Sequence, residues 1–271
     1  LAYGIDKAVM QENVRLNTPT AFTAMKQAYA GDMAGTLKTL KDSIEEIPNK
    51  QEALNRMVDV YTAMSFGNKE PPLVITPLNQ DRQYVNAAIR KQLKHNGALA
   101  KKGFEVSVFV PTDKREIDKS DIFSYQEKDV IRFNTNNPRL GVKAGDYAHI
   151  QNIDLENQRL TLRIDGKQEF YWSPKNLEKP SAIEIYQQEK REFCQGDTIV
   201  FKRNNEQQGI FNGDRASITK IEQSVAEILL GNGNIISLDL NQTKNQHLDY
   251  GYALTTYAAQ GKDCLLYTSD A

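Results

Sequence analysis

LVITPLNQDRQYVNAAIRKQL, residues 73–93, opens on an apolar run and closes on a helical stripe. Leu73-Val74-Ile75 is continuously apolar, as suits a strand buried on both faces of a parallel sheet. Pro77 and a polar turn lead to Asn79, which can cap a helix whose inner face carries Val85, Ile89 and Leu93 before Gly97 ends it. Strand, polar turn and helix form the unit of doubly wound sheets, where ligands meet the carboxyl ends of strands. Thr76 to Arg82 therefore stands where such a sheet would bind something.

Upstream, Thr18 is a helix N-cap with Pro19 at the first helical position, and Phe22, Met25, Ala28 and Tyr29 repeat at helical spacing until Gly31. A second helix starts after Asn49, with Leu54, Met57, Val58, Tyr61 and Met64 on one face and Gly67 at its exit. That stripe reads as core. Residues 1–103 are thus α/β.

From about residue 104 the texture changes to short alternating strands with Gly, Asn and Asp turns, and an internal repeat appears. Asp129-Val-Ile-Arg-Phe133 aligns with Asp197-Thr-Ile-Val-Phe201, and Gly141-Val-Lys-Ala-Gly-Asp146 with Gly209-Ile-Phe-Asn-Gly-Asp214; Ile150 and Ile153 match Ile218 and Ile221. The offset is a constant 68 residues (129 to 197, 141 to 209, 146 to 214). Hairpins alone would account for the Gly-Asp pairs, but not for the matched apolar positions. Two copies of one β unit are expected, each closing into a small SH3-like barrel that hides its edges.

The 271 residues hold 34 Lys+Arg against 35 Asp+Glu, a formal net charge of -1, with 39% apolar and 25% charged residues. This is a globular composition without a global basic field, so any nucleic-acid contact must be local. Cys194 and Cys264 form no CxxC pair, and His95, His149 and His247 each stand alone, so neither a disulfide framework nor a metal site is expected. No run approaches the ~18 apolar residues of a membrane span, and residues 1–30 lack a signal-peptide pattern. A cytoplasmic setting with no membrane partner is expected.

Three runs resemble one family. LVITPLNQDRQYVNAAIRKQL (73–93), FCQGDTIVFKRNNEQQGIFNGD (193–214) and HLDYGYALTTYAAQGKD (247–263) are similar to the carboxyl-terminal part of the helicase region in TraI-type conjugative relaxase-helicases (the MobF family) and, more loosely, to RecD-like superfamily-one helicases. Tyr-Ala-x-Thr followed by Gln-Gly is the group's motif V. The resemblance implies the second, RecA-like motor lobe of an ATP-driven single-stranded-DNA translocase, with the β units inserted in it. It divides the chain into a motor-lobe segment (1–103), two barrel regions (104–190 and 191–246) and a motif V segment (247–263). CLLYTSDA (264–271) looks like translated adapter sequence.

By matching positions, the resemblance implies that Arg15, Gln260 and Gly261 face nucleotide and that Thr76, Asn79, Arg82, Thr255 and Thr256 contact the DNA strand. No G-x-x-x-x-G-K-[ST] phosphate loop occurs in the sequence, and Asp263 replaces the family's threonine after Gln-Gly. ATP and magnesium would then be held by a first motor lobe elsewhere in the polypeptide, and this chain would bind neither alone nor hydrolyse ATP. The partners implied are single-stranded DNA, the missing lobe, and conjugation or secretion proteins.

Without the resemblance, the residues leave other readings open. Arg90, Lys91, Lys94, Lys101, Lys102, Lys114, Arg115 and Lys119 outnumber nearby acids, which suits either DNA contact or a solvated face. Trp172, beside Phe170 and Tyr171, reads as core. His247 and Asp249 read as a surface turn. A second function class also fits the repeat: an interaction module of tandem barrels in a DNA-transfer complex, with no motor activity.

Overall fold

The computed structural model describes residues 18–65, 72–112 and 116–260. In chain order its elements are α1 (Pro19–Tyr29), α2 (Met33–Thr39), α3 (Lys50–Ser65), β1 (Val74–Thr76), α4 (Asn79–His95), β2 (Phe104–Pro111), β3 (Asp129–Phe133), β4 (Tyr147–Asp154), β5 (Arg159–Ile164) and β6 (Phe170–Trp172). Then follow β7 (Ile183–Phe193), β8 (Thr198–Phe201), β9 (Arg215–Glu222), β10 (Val225–Leu230), β11 (Ile235–Asp239), β12 (Leu248–Tyr250), β13 (Ala253–Thr255) and α5 (Thr256–Ala259). Two compact units result: one from the described residues up to His95 together with those from Gly251 onward, the other from Asn96–Tyr250.

The first unit is α/β. Thr18 caps α1 as its sequence requires, accepting from the Ala21 N–H at 3.3 Å with Pro19 in the first turn. Asn49 does the same for α3, accepting from the N–H groups of Gln51 and Glu52. Leu54, Val58 and Tyr61 turn inward from α3, and Val85, Ile89 and Leu93 from α4. Met57, expected on the α3 stripe, is partly exposed. β1 pairs in parallel with β13, so residues 179 apart become neighbours: Val74 faces Ala253, Ile75 faces Leu254 and Thr76 faces Thr255.

A pair of three-residue strands is too short to hold itself, and helix side chains fasten it. Asn86 on α4 donates from Nδ2 to the Ala253 carbonyl at 3.1 Å and accepts the Ala253 N–H on Oδ1 at 2.8 Å. Both residues are buried, so the amide satisfies two backbone groups that water cannot reach. Tyr61 meets Tyr252 edge to face, with ring centroids 5.8 Å apart.

The second unit contains the repeat in three dimensions. β3, β4, β5 and β6 form an antiparallel meander with β7 returning beside β3; β8, β9, β10 and β11 form another with β12 returning beside β8. Equivalent hydrogen bonds recur at the 68-residue offset. Asp129 accepts from the Gln126 N–H at 3.0 Å, and Asp197 from the Cys194 N–H at 2.7 Å. Asp146 accepts from Lys143, and Asp214 from Phe211. Asn136 receives the Ala144 N–H, and Asn204 the Asn212 N–H. Gly145 and Gly213, at φ +95° and +88°, occupy the same left-handed turn position, which a side chain would strain. The copies diverge at the next hairpin, four residues between β4 and β5 but two between β9 and β10.

Each copy has its own core. Ile131, Phe133, Ile150, Leu160, Leu162 and Trp172 lie in the first, where Trp172 packs edge-on against Tyr125 and Phe133. Ile199, Phe201, Ile218, Ile228 and Leu248 lie in the second, joined by Val106 and Val108 of β2 and Phe193 of β7. Tyr171 is exposed, under the Arg159 guanidinium. The ladders are open rather than closed barrels: β2 and β6 are the outer strands of one sheet and β11 and β12 of the other.

Two expectations need correction. Residues 247–250 do not begin the return to the α/β unit, because Leu248–Tyr250 pairs with Ile199–Phe201 and Leu248 fills the second core. The division falls at Gly251 and, upstream, at Asn96. For the same reason His247 is no surface turn. Strand pairing carries it inward to 3% exposure, where its Nε2 meets the Tyr147 hydroxyl at 2.6 Å and its ring lies among Phe109, Tyr147 and Tyr186. Asp249 is also buried and is bonded to Arg191. Cys194 is a buried thiol that donates to Asp197. No helix of the described residues is long and apolar enough to cross a membrane.

Two consequences are measurable. Asn86→Ala strips two buried backbone groups of their partner, at a cost of roughly 1–3 kcal/mol per group; urea unfolding should detect it, and an unchanged midpoint would refute the clamp. Burial, helped by Arg203 and Arg132 and opposed by Glu184, lowers His247 from 6.5 to about 3. The folded state thus favours the neutral ring, so stability is complete above pH 6.5 and falls as acid protonates the unfolded chain first. Between pH 6.5 and 4.5, above the ordinary glutamate value, His247→Gln should flatten the slope of stability against pH. His149, lowered by its burial, contributes in the same sense and is separated by its own variant.

Candidate nucleic-acid interface

β1 and β13 run the same way, so both carboxyl ends reach one edge of the sheet. Thr76 ends one strand and Thr255 the other, in register. Each chain then turns at once into a helix: α4 begins at Asn79 and α5 at Thr256. The Thr256 hydroxyl donates to the Thr76 carbonyl at 3.4 Å, which ties the two turns together.

Each side chain at this edge has a local task. Thr76 is buried, and its hydroxyl donates to the Leu78 carbonyl. Thr255 caps α5 by accepting the Ala258 N–H at 3.3 Å. Arg82 is buried; its Nε donates to Asn79 Oδ1 at 2.8 Å and so orients an exposed amide. Arg82 is accordingly a positioning residue for Asn79. Asp81 is also buried, and Lys50 neutralises it at 2.7 Å. The edge therefore offers hydroxyls and amides rather than a concentrated charge.

Thr76, Asn79, Arg82, Thr255 and Thr256 are brought to this one edge, and Gln260 lies exposed one turn further on, its N–H donating to the Tyr257 carbonyl. Arg15 and Gly261 lie outside the described residues, as do Lys114, Arg115 and Cys264. The other basic residues expected near 90–119 are divided between the two units, with Arg90, Lys91 and Lys94 on α4 and Lys101, Lys102 and Lys119 in the second. Among the described residues no group of three or more His, Cys, Asp or Glu could hold a metal ion.

Two residues of this region escaped the sequence reading. Asn86 was passed over beside the apolar face of α4; a lone amide next to Val85 was its only signal. Tyr257 follows Thr256 and is 88% exposed. An aromatic ring left in solvent beside strand-end hydroxyls and amides is the kind of platform on which a base can stack.

No protein-family model matches the chain. It is 22% identical over 202 residues to the multifunctional conjugation protein TraI of Escherichia coli, covering 74% of this chain, and 21% identical over 201 residues to the TraI of Escherichia coli strain K12. The chain spans only 11% of the length of those relatives. Similar solved structures include the Pif1 helicase from Bacteroides with ADP-AlF3 and single-stranded DNA, at TM-score 0.39 and 11% identity over 92% of this chain and 42% of that one. Another holds two coordinating Pif1 helicases at forked duplex DNA, at TM-score 0.32 and 12% identity over 80% of this chain and 39% of that one. Over about three quarters of its length the chain is thus similar, at low identity, to a multifunctional conjugation protein.

Proposed function

We propose that the chain is part of an ATP-driven translocase of single-stranded DNA in a conjugative relaxase, contributing strand contacts and nucleotide sensing from the edge where β1 and β13 end. The observation that carries the reading is the parallel register of Thr76 with Thr255. Two segments separated by the whole β region meet at one sheet edge, each turning straight into a helix, and this is the topological position at which open α/β sheets bind ligands. The similarity to TraI supports the class of motor.

In this reading Asn79, held by Arg82, and Thr256 donate to the strand's phosphates and sugars, while Tyr257 stacks on a base. Contacts of this kind are indifferent to sequence, as a translocase requires. Gln260, with Arg15 and Gly261, relays the state of a nucleotide held between this lobe and another. ATP and magnesium belong to that other lobe, since the phosphate loop is absent from this sequence.

Fluorescence anisotropy with a labelled 15-mer single strand tests the proposal. The groups that face outward at this edge are uncharged, so binding there should depend only weakly on salt. Tyr257→Ala should weaken binding about tenfold, within the ~1–3 kcal/mol of one stacked base, and Asn79→Ala by less. The chain alone should turn over no ATP above background. Binding unmoved by either variant would sink the assignment of this edge, and turnover would mean that the hydrolytic groups lie in this chain.

A further inference from the structure

The second unit holds a cavity of about 580 Å³ where the two repeated modules meet, lined among others by Lys119, Arg132, Glu184, Arg203, Asn204 and Asn212. Its lining also includes Lys202. Among the described lining residues the cations Lys119, Arg132, Lys202 and Arg203 accompany the single carboxylate of Glu184, on a chain whose net charge is -1. Nothing in the helicase reading uses them.

The cluster is built, not scattered. Arg203 donates to Glu184 Oε2 at 2.6 Å and to the Tyr186 hydroxyl at 3.0 Å, and Arg132 reaches the same Glu184 oxygen at 3.4 Å. Two guanidinium groups, one from β3 and one just past β8, are therefore drawn together over a single acid. Burial would raise Glu184, but the hydrogen bond and charge of Arg203 outweigh it and hold the carboxyl below its ordinary value, so it stays ionised. Arg132 Nη1 also donates to Asn134 Oδ1, yet these acceptors do not use all ten N–H groups of two guanidinium forks. Arg132 Nε is buried and has no hydrogen-bond partner, in a protein interior where such groups are nearly always satisfied. Lys119 Nζ donates to the Pro180 and Ile183 carbonyls, which uses two of its three protons.

We infer that this cavity binds a phosphate group. The donors approach from three separate segments, β3, the β8–β9 loop and the turn bearing Lys119, so they reach the cavity from several directions. A tetrahedral anion presents oxygens in those several directions, whereas a carboxylate presents two in one plane. Paired arginines add the forked geometry that phosphate accepts from two donors at once. The phosphate can come from a phosphodiester strand or from a free phosphorylated molecule; the recognising chemistry is the same. The site lies wholly within the second unit and stands whether or not the β1/β13 edge binds DNA.

Side-chain Nε–Hε resonances of Arg132 and Arg203 in the ¹⁵N-labelled full chain, titrated with inorganic phosphate and, at matched ionic strength, with acetate, test the assignment. Phosphate should move both resonances to saturation, acetate should not, and Arg203→Gln should weaken phosphate binding at least tenfold. Should Arg203→Gln fail to fold, the wild-type titration decides alone. Shifts that are absent, unsaturable or equal for acetate would overturn the site, as would an Arg203→Gln affinity equal to wild type. A 15-mer single strand that displaces phosphate identifies the strand as the source; phosphate binding that the strand leaves untouched identifies a free phosphorylated ligand.

Discussion

The amide of Asn86 against the backbone of Ala253 is the contact on which the α/β unit depends. β1 and β13 contribute three residues each, too few for a ladder to define its own register. A parallel pair slipped by one residue would turn every side chain to the opposite face. The two-way bond between Asn86 and Ala253 forbids that slip, because only one residue of β13 can present both its N–H and its carbonyl to the same amide. Thr76 then has to face Thr255, and the turns that follow have to emerge together.

In the β region the corresponding constraint is the pair of aspartates that open each module. Asp129 and Asp197 are both fully buried, and each accepts the N–H three residues before it, closing a turn ahead of the first strand. The same loop, with the same left-handed glycine and the same asparagine bracket, then follows in both copies. Duplication preserved these bonds while letting the outer hairpins change length, as expected when exposed turns are free to vary and buried polar groups are not. β7 links the copies: Ile183–Gln187 pairs with β3 and Tyr186–Phe193 with β2, whose Val106 and Val108 fill the second core.

Much of this was readable in the sequence because it is local. Thr18 with Pro19, Asn49, the α4 stripe and the 68-residue repeat all act over a few residues or recur by copying. What escaped was set by pairings between distant segments. His247 reads as a polar residue in a polar stretch, and only the pairing of β12 with β8 makes it a buried partner of Tyr147. Asn86 reads as a helix-surface amide until β13 arrives beside it. The domain boundary at Gly251 was missed for the same reason: three strand residues belong to whichever sheet accepts them, and their own composition does not say which. Arg82 was legible as a polar residue near a strand end but not as a buried one that spends its guanidinium on Asn79.

The charge distribution then separates two kinds of recognition. At the β1/β13 edge the acid Asp81 is matched by Lys50, and Arg82 is turned inward, so what remains outward is neutral: an amide, hydroxyls and the ring of Tyr257. In the proposed function such groups would hold a strand by direct hydrogen bonds and stacking, and would give it no pull from a distance. The described lining of the cavity in the second unit carries more cations than acids, but on a chain with 34 cations and 35 anions that local field is screened within about 8–10 Å in physiological salt. It can grip an anion that is already there and cannot steer one from bulk solution. A chain built in this way gains little from long-range attraction to DNA, so under the proposed function its hold on a strand would rest on short-range contacts.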